Sequence, residues 1–169
     1  MRTSPDPTHP PAQVSATTAG IVGTWAVDSR RSTIGLTTKS FWGLITVRGV
    51  FRDVSGTCAI APDGAVSGTI TVAAGSIDTG NARRDKHLRS ADFLDRDHYP
   101  AITFAWETSR PSGQAVVLTG VLTIRTCARP VSFEATASHG EDGAVSLSAE
   151  VPINRADFGV TWNLWAWLR

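Results

Sequence analysis

SIDTGNARRDKHLRSADFLDRDHYPAITF, residues 76–104, is the stretch on which the fold turns. It is crowded with charge and turn formers, yet on both sides apolar and polar residues alternate with the period of a β-strand. Asp78, Gly80 and Asn81 are turn formers, and Asn81 is placed to cap a short helix through Ala82–Leu88. Asp85 and Arg89 then stand four residues apart with the acid N-terminal, the favourable order for an ion pair. Ser90 is placed to cap a second helical turn carrying Asp92 and Phe93. Tyr99-Pro100 ends that turn and returns the backbone to extended before Ile102. The reading is a compact helical clasp interrupting an otherwise all-β chain.

Outward from the clasp, period two prevails. Val145, Leu147, Ala149, Val151 and Ile153 share one face, opposite Ser146, Ser148, Glu150 and Pro152. Val131, Phe133, Ala135 and Ala137 share another, as do Ile102, Phe104 and Trp106. Val116, Leu118, Leu122 and Ile124 line up around Gly120, and Ile70 and Val72 alternate with threonines. Ile34 and Leu36 mark one short strand near the start, and Ile45, Val47 and Phe51 another. Turn signals separate the runs at Pro62-Asp63-Gly64, Pro111-Ser112-Gly113 and Gly140-Glu141-Asp142-Gly143. Short, half-buried antiparallel strands predict a mainly-β barrel or sandwich with no internal repeat. A barrel of about eight strands has an interior that side chains fill or that holds one ligand. Strands of about eight residues rise roughly 26 Å, which suits a long, thin guest. The inward residues mix large groups (Phe51, Phe104, Trp106, Phe133) with small ones (Gly120, Ala135, Ala149). On pattern alone a filled, tapering core is the commoner outcome.

The chain of 169 residues is one domain's worth, and a net charge of +1 gives no strong field toward nucleic acid or anionic membrane. Its arginines are interspersed with aspartates, and no apolar run is long enough to span a bilayer as a helix. Residues 1–20 hold four prolines and almost no bulky apolar side chain, which predicts a disordered tail ahead of a domain at 21–169. That tail lacks the pattern of a secretory signal, so the expected location is the cytoplasm. Cys58 and Cys127 fit that compartment as buried thiols and form no metal-like spacing.

The clasp sequence resembles the signature of the YceI family of polyisoprenoid-binding, lipocalin-like proteins. The resemblance continues in TWAVDSRRSTIGL (24–36), VRGVF (47–51), LTIRTCARPVSFEA (122–135) and INRADFGVTWN (153–163), in the family's order. It implies an antiparallel lipocalin-like β-barrel around an elongated apolar ligand, and it reverses the odds on a filled core. The partner it implies is an isoprenoid or another long-chain lipid, polyisoprenoid or quinone-like, that is bound, stored or carried without chemistry, and no cofactor or metal. The inward strand residues expected to line the ligand are Leu36, Val47, Phe51, Val72 and Phe104, with Trp106, Leu118, Leu122, Phe133 and Leu147 beyond them. Trp25, Phe41, Trp42, Phe93, Phe158 and Trp162 lie near strand ends or in loops, where they either plug the barrel or rim its mouth. Arg83, Arg84 and Arg89 are candidates to meet a phosphate or carbonyl head group.

Two departures from the family stand out. Lys39-Ser40 replaces the usual Lys-His after the first long strand. The sequence also stops six residues after Thr161-Trp162-Asn163, where relatives continue into another long strand. The expectation is an incomplete barrel with lowered stability, covered by the apolar tail or by pairing with a second copy.

Other classes carry less weight. Asp78, Arg84, Asp85, His87 and His98 can be drawn as an acid–base site, but alternating charges of this kind are more often a self-paired network. The histidines have no partner at a metal-ligand spacing, and no nucleophile elbow, P-loop, dinucleotide fingerprint or C-x-x-C motif occurs. Nucleic-acid binding is disfavoured because aromatic and basic residues share no outward strand face. A non-enzymatic interaction or stress-response domain with a filled barrel stays open as the alternative.

Overall fold

The computed structural model describes residues 22–40, 45–112, 115–140 and 143–160. The proline-rich tail, Phe41, Trp42, Trp162 and the last residues of the chain lie outside these. Among the described residues are ten strands: β1 (Gly23–Ala26), β2 (Ile34–Ser40), β3 (Ile45–Phe51), β4 (Val54–Ile60), β5 (Val66–Ala73), β6 (Ile77–Asp78), β7 (Ala101–Ser112), β8 (Ala115–Ile124), β9 (Cys127–His139) and β10 (Val145–Ala149). One α-helix, α1 (Ala82–Arg89), stands between β6 and β7. Seven strands form one antiparallel sheet in the order β1-β4-β5-β7-β8-β9-β10, and β2, β3 and β6 form a smaller one. The large sheet is curled into a half-barrel, so the expected mainly-β, lipocalin-like architecture with a helical insertion is the one observed.

The clasp forms where its local signals place it. Asn81 caps α1, its side-chain oxygen accepting from the Arg84 amide at 3.1 Å. Two details differ from expectation. Asp85 and Arg89 do not pair: Asp85 is buried and accepts from the amide and hydroxyl of Thr79, while Arg89 donates to the Ile77 carbonyl. The two Thr79 donors satisfy the buried carboxylate, and the Arg89 guanidinium is engaged at the Ile77 carbonyl instead. Ser90 also turns back, its hydroxyl donating to the His87 carbonyl, so it closes α1 and residues 91–94 form turns instead of a second helical turn.

Strand ends moved more than strand cores. β7 runs on through Pro111 and Ser112, pairing out to Ser112↔Ala115, so the expected turn signal begins inside the strand, and its Gly113 lies outside the described residues. At the other extreme β10 stops at Ala149, and Val151 and Ile153 follow it outside the strand. Pro152 has no amide hydrogen to continue a ladder. β4 escaped the sequence reading because Gly56 and Cys58 fill its inward positions between Val54 and Ile60.

Candidate functional site

The pairing register sets one rank of inward residues across the sheet: Trp25, Cys58, Gly68, Trp106, Gly120 and Val131. Large residues are separated by small ones along it, and the indole of Trp106 lies over Gly68, where a Cβ would come within 2.8 Å of it. The next rank holds Gly56, Ile70, Phe104 and Leu122, ending in Arg129. A bulge between Trp106 and Thr108 then shifts the register, so that Ser109 faces Leu118. Its hydroxyl accepts from the Val66 amide at 2.7 Å. The opposite face carries the threonines and serines, with Thr119 and Ser132 hydrogen-bonded at 2.9 Å. One face of the half-barrel is therefore apolar over most of its area.

Three clusters build this face. In the middle, Phe104, Trp106, Leu118 and Ala135 are buried, with Cys58, Ile70, Leu122, Val131 and Phe133 half-buried around them. Phe104 stacks on Trp106 at 5.4 Å with a 16° interplanar angle and tilts against Phe133 at 5.1 Å. At the clasp end, Phe93, Ile124, Phe158 and Val160 pack together against Leu88, Leu94, Ile102, Leu122 and Cys127. Phe158 reaches this cluster from a single 3-10 turn over Arg155–Phe158. Asn154 caps that turn, and Gly159 closes it in the left-handed conformation at φ 68°. On the flank, Phe51, Val72 and Ile77 join the small sheet to β5, with Ile34 and Leu36 against them.

The expected ligand-lining residues divide among these places. Phe104, Trp106, Leu118, Leu122 and Phe133 come together at the centre, and Leu36, Phe51 and Val72 on the flank. Phe93 and Phe158 meet each other at the clasp end. Val47 is buried on β3, and Trp25 is half-buried on β1. Leu147 faces the same side as its partner Ala137 but is 47% exposed, because β10 is an edge of the sheet among the described residues. Cys58, Ile70 and Val131 are added to the face. Their signal was the same period-two alternation, muted at Cys58 by a small, ambiguous residue type.

The arginines do not reach this face as a group. Arg84 donates to the hydroxyl and carbonyl of Thr79, Arg89 to Ile77, and Arg83 is exposed on α1. The clasp charges bind its own backbone. Arg52 pairs with Asp78 at 2.8 Å, and the Gly80 amide with the Arg52 guanidinium holds the Asp78 carboxyl below its usual range. His98 pairs with Asp95 at 2.9 Å, and that hydrogen bond raises its pKa. Asp85 is thus not joined to either histidine by a hydrogen bond, and no group of three His, Cys, Asp or Glu among the described residues is arranged to hold a metal. Cys58 and Cys127 are half-buried free thiols on strands that are not neighbours. Burial raises the Cys58 thiol pKa. A cleft of about 270 Å³ lies between Arg129–Val131 and the loop carrying Pro152, Asn154 and Phe158, sharing Val131 with the central cluster and Phe158 with the clasp end.

An antiparallel half-barrel with an apolar inner face and a clasp across one end defines a lipocalin-like β-barrel protein. The chain belongs to the YceI family: the YceI-like domain model matches residues 25–168. Protein YceI of Shigella flexneri and of Escherichia coli O157:H7 are each 34% identical to it over 123 residues, 69% of this chain. That match spans 64% of these curated relatives, somewhat less than two thirds of their length. Among solved structures, BcnA of Burkholderia cenocepacia superposes with a TM-score of 0.69 at 25% identity, over 79% of this chain and 84% of that one. The Campylobacter jejuni YCEI protein gives 0.61 at 26% identity, over 79% and 82%. A polyisoprenoid-binding domain from Saccharophagus degradans shares the fold with a TM-score of 0.64 at 14% identity, over 82% of each chain. No described helix is long and apolar enough to cross a membrane.

Proposed function

We propose that this chain binds a long apolar lipid, a polyisoprenoid or quinone-like molecule, along the inner face of its half-barrel, and stores or carries it without chemical change. The observation that carries this reading is the inner face itself. Leu122, Val131, Phe133 and Ile70 remain only half-buried there, side by side, around the buried Phe104 and Trp106. A single five-carbon isoprene unit taken from water contributes roughly 4 kcal/mol of gross stabilisation. Association costs about 4–15 kcal/mol, so a few units suffice without a strong polar contact. Family membership supports the reading, as does the shared fold of a domain described as polyisoprenoid-binding.

Clasp residues contribute positioning. Leu88, Phe93 and Leu94 close one end of the apolar face, so a guest entering from the other end stops against them. The test is mass spectrometry of an organic extract from the purified, unboiled full-length protein. A stoichiometric long-chain apolar molecule is expected. A clean extract from folded protein that also takes up no isoprenoid would refute the reading and leave the filled-barrel alternative.

A further inference from the structure

The clasp arginines are turned to their own backbone, but another arginine stands at the margin of the inner face. Arg129 pairs with Leu122 and so ends the apolar row of Ile70, Phe104 and Leu122 with a cation. It also lines the cleft of about 270 Å³, whose apolar walls include Val131, Ile153 and Phe158. Its guanidinium is held from one side only, Nε donating to the Asp157 carbonyl at 3.0 Å. Nη1 lies 3.5 Å from the Ala128 carbonyl, too far for a strong hydrogen bond, and Nη2 has no partner among the described residues. The contact to Asp157 therefore anchors the loop and leaves the terminal fork of the guanidinium to the open cleft. Among the described lining residues the other ionisable group is Asp157, whose carboxylate accepts from the Asn154 amide at 3.4 Å.

From this geometry we infer that the cleft seats a charged end of the guest against Arg129, and that this end carries a single negative charge, as a carboxylate does. The inference rests on the lipid-binding reading and sharpens it from an apolar chain to an apolar chain with an acid end. The cleft is smaller than the roughly 300–1,000 Å³ that encloses a whole drug-sized ligand, so it takes an end group and the start of a chain. The remainder continues over Val131, which the cleft shares with the central cluster, toward Phe133. Two terminal nitrogens match the two oxygens of a carboxylate in one plane. A diphosphate would bring further charge that meets no second cation in the described lining and faces the Asp157 carboxylate. Arg129 is thus a specificity-determining residue, distinct from the clasp arginines.

The test measures binding of farnesoic acid, its neutral methyl ester and farnesyl diphosphate, three ends on one isoprenoid chain, by equilibrium dialysis at pH 8 and low salt. The full-length protein is compared with its Arg129→Gln variant, which removes the charge and keeps an amide donor for the Asp157 carbonyl. Arg129→Gln is expected to lower the affinity for the acid relative to the ester about fivefold, the worth of one exposed ion pair, while binding of the ester is unchanged. An acid-to-ester ratio that is the same in both proteins overturns the role of Arg129 and leaves lipid binding standing. Diphosphate bound several-fold more tightly than the acid overturns the single charge. Acetate at the same concentration is expected to displace nothing, and displacement of the acid by acetate would make the cleft a site for free anions instead. Uptake of none of the three probes by folded wild type overturns both readings. Should Arg129→Gln fail to fold, the wild-type acid-to-ester ratio in molar salt decides: it must fall, because screening weakens the pair and leaves the ester untouched.

Discussion

Gly120 offers the sharpest test of how this half-barrel is built. It pairs with Trp106 beside the bulge in β7, and a Cβ there would lie 2.2 Å from the Ala105 carbonyl oxygen and 2.8 Å from Trp106 Cα and Cβ. Real Cβ contacts essentially never fall below 3.0 Å, and these obstacles are mainly backbone, which cannot rotate aside. Gly120→Ala must therefore force β7 and β8 apart by about 0.8 Å at the shortest contact. Overpacking of this kind costs about 1–3 kcal/mol, and weakening one or two ladder hydrogen bonds adds about 1 kcal/mol, so a loss of about 3 kcal/mol is expected. Gly35→Ala is the control: nothing lies within 4 Å of its Cβ position and its φ is ordinary, so its effect should stay within about 0.5 kcal/mol. Urea unfolding followed by far-ultraviolet circular dichroism reads the difference. At an m-value of about 2 kcal/mol per molar, Gly120→Ala should lower the midpoint by about 1.5 M with the slope unchanged. Equal midpoints for the two variants would refute the close-approach argument.

Asp85→Ala removes the acceptor of both the Thr79 amide and its hydroxyl, so a loss of about 2–4 kcal/mol is expected, a fall of roughly 8 °C in the melting temperature. A fall under about 2 °C would mean the clasp is held by something else. His98 has its folded pKa raised by Asp95, so its contribution is complete below the unfolded value near 6.5 and fades as pH rises through the folded one. The stability difference between wild type and His98→Gln should accordingly shrink from about pH 6.5 upward, and a flat difference across that range counts against the pair. Burial raises the Cys58 thiol pKa, so iodoacetamide should label it several-fold more slowly in the native protein than in urea, measured in a Cys127→Ser background. Equal rates would place Cys58 outside the inner face.

Sequence alone settles what depends on near neighbours or on family likeness. Asn81 caps α1 because the capped amide lies three residues away, and Phe104 and Trp106 share a face because alternate residues of any strand do. The family was legible because its motifs fall in order along one chain. Strand ends were less so: β7 continues through Pro111 because the partner strand holds it there, and β10 ends early. Within the clasp, sequence spacing offered Asp85 a partner in Arg89, but the fold presented Thr79 at bonding distance and engaged Arg89 at the Ile77 carbonyl. The meeting of Phe93 with Phe158, some sixty residues apart, has no local signature at all. Nor has the rank that sets Trp106 between Gly68 and Gly120, since it depends on the registers of three strands and on a bulge. Sequence thus determined the family, the alternating strands and the capped clasp, all consequences of chain-local geometry. Only the tertiary structure decided which aromatic groups meet and which arginines are already engaged, because burial and pairing are properties of strands brought together across the sheet.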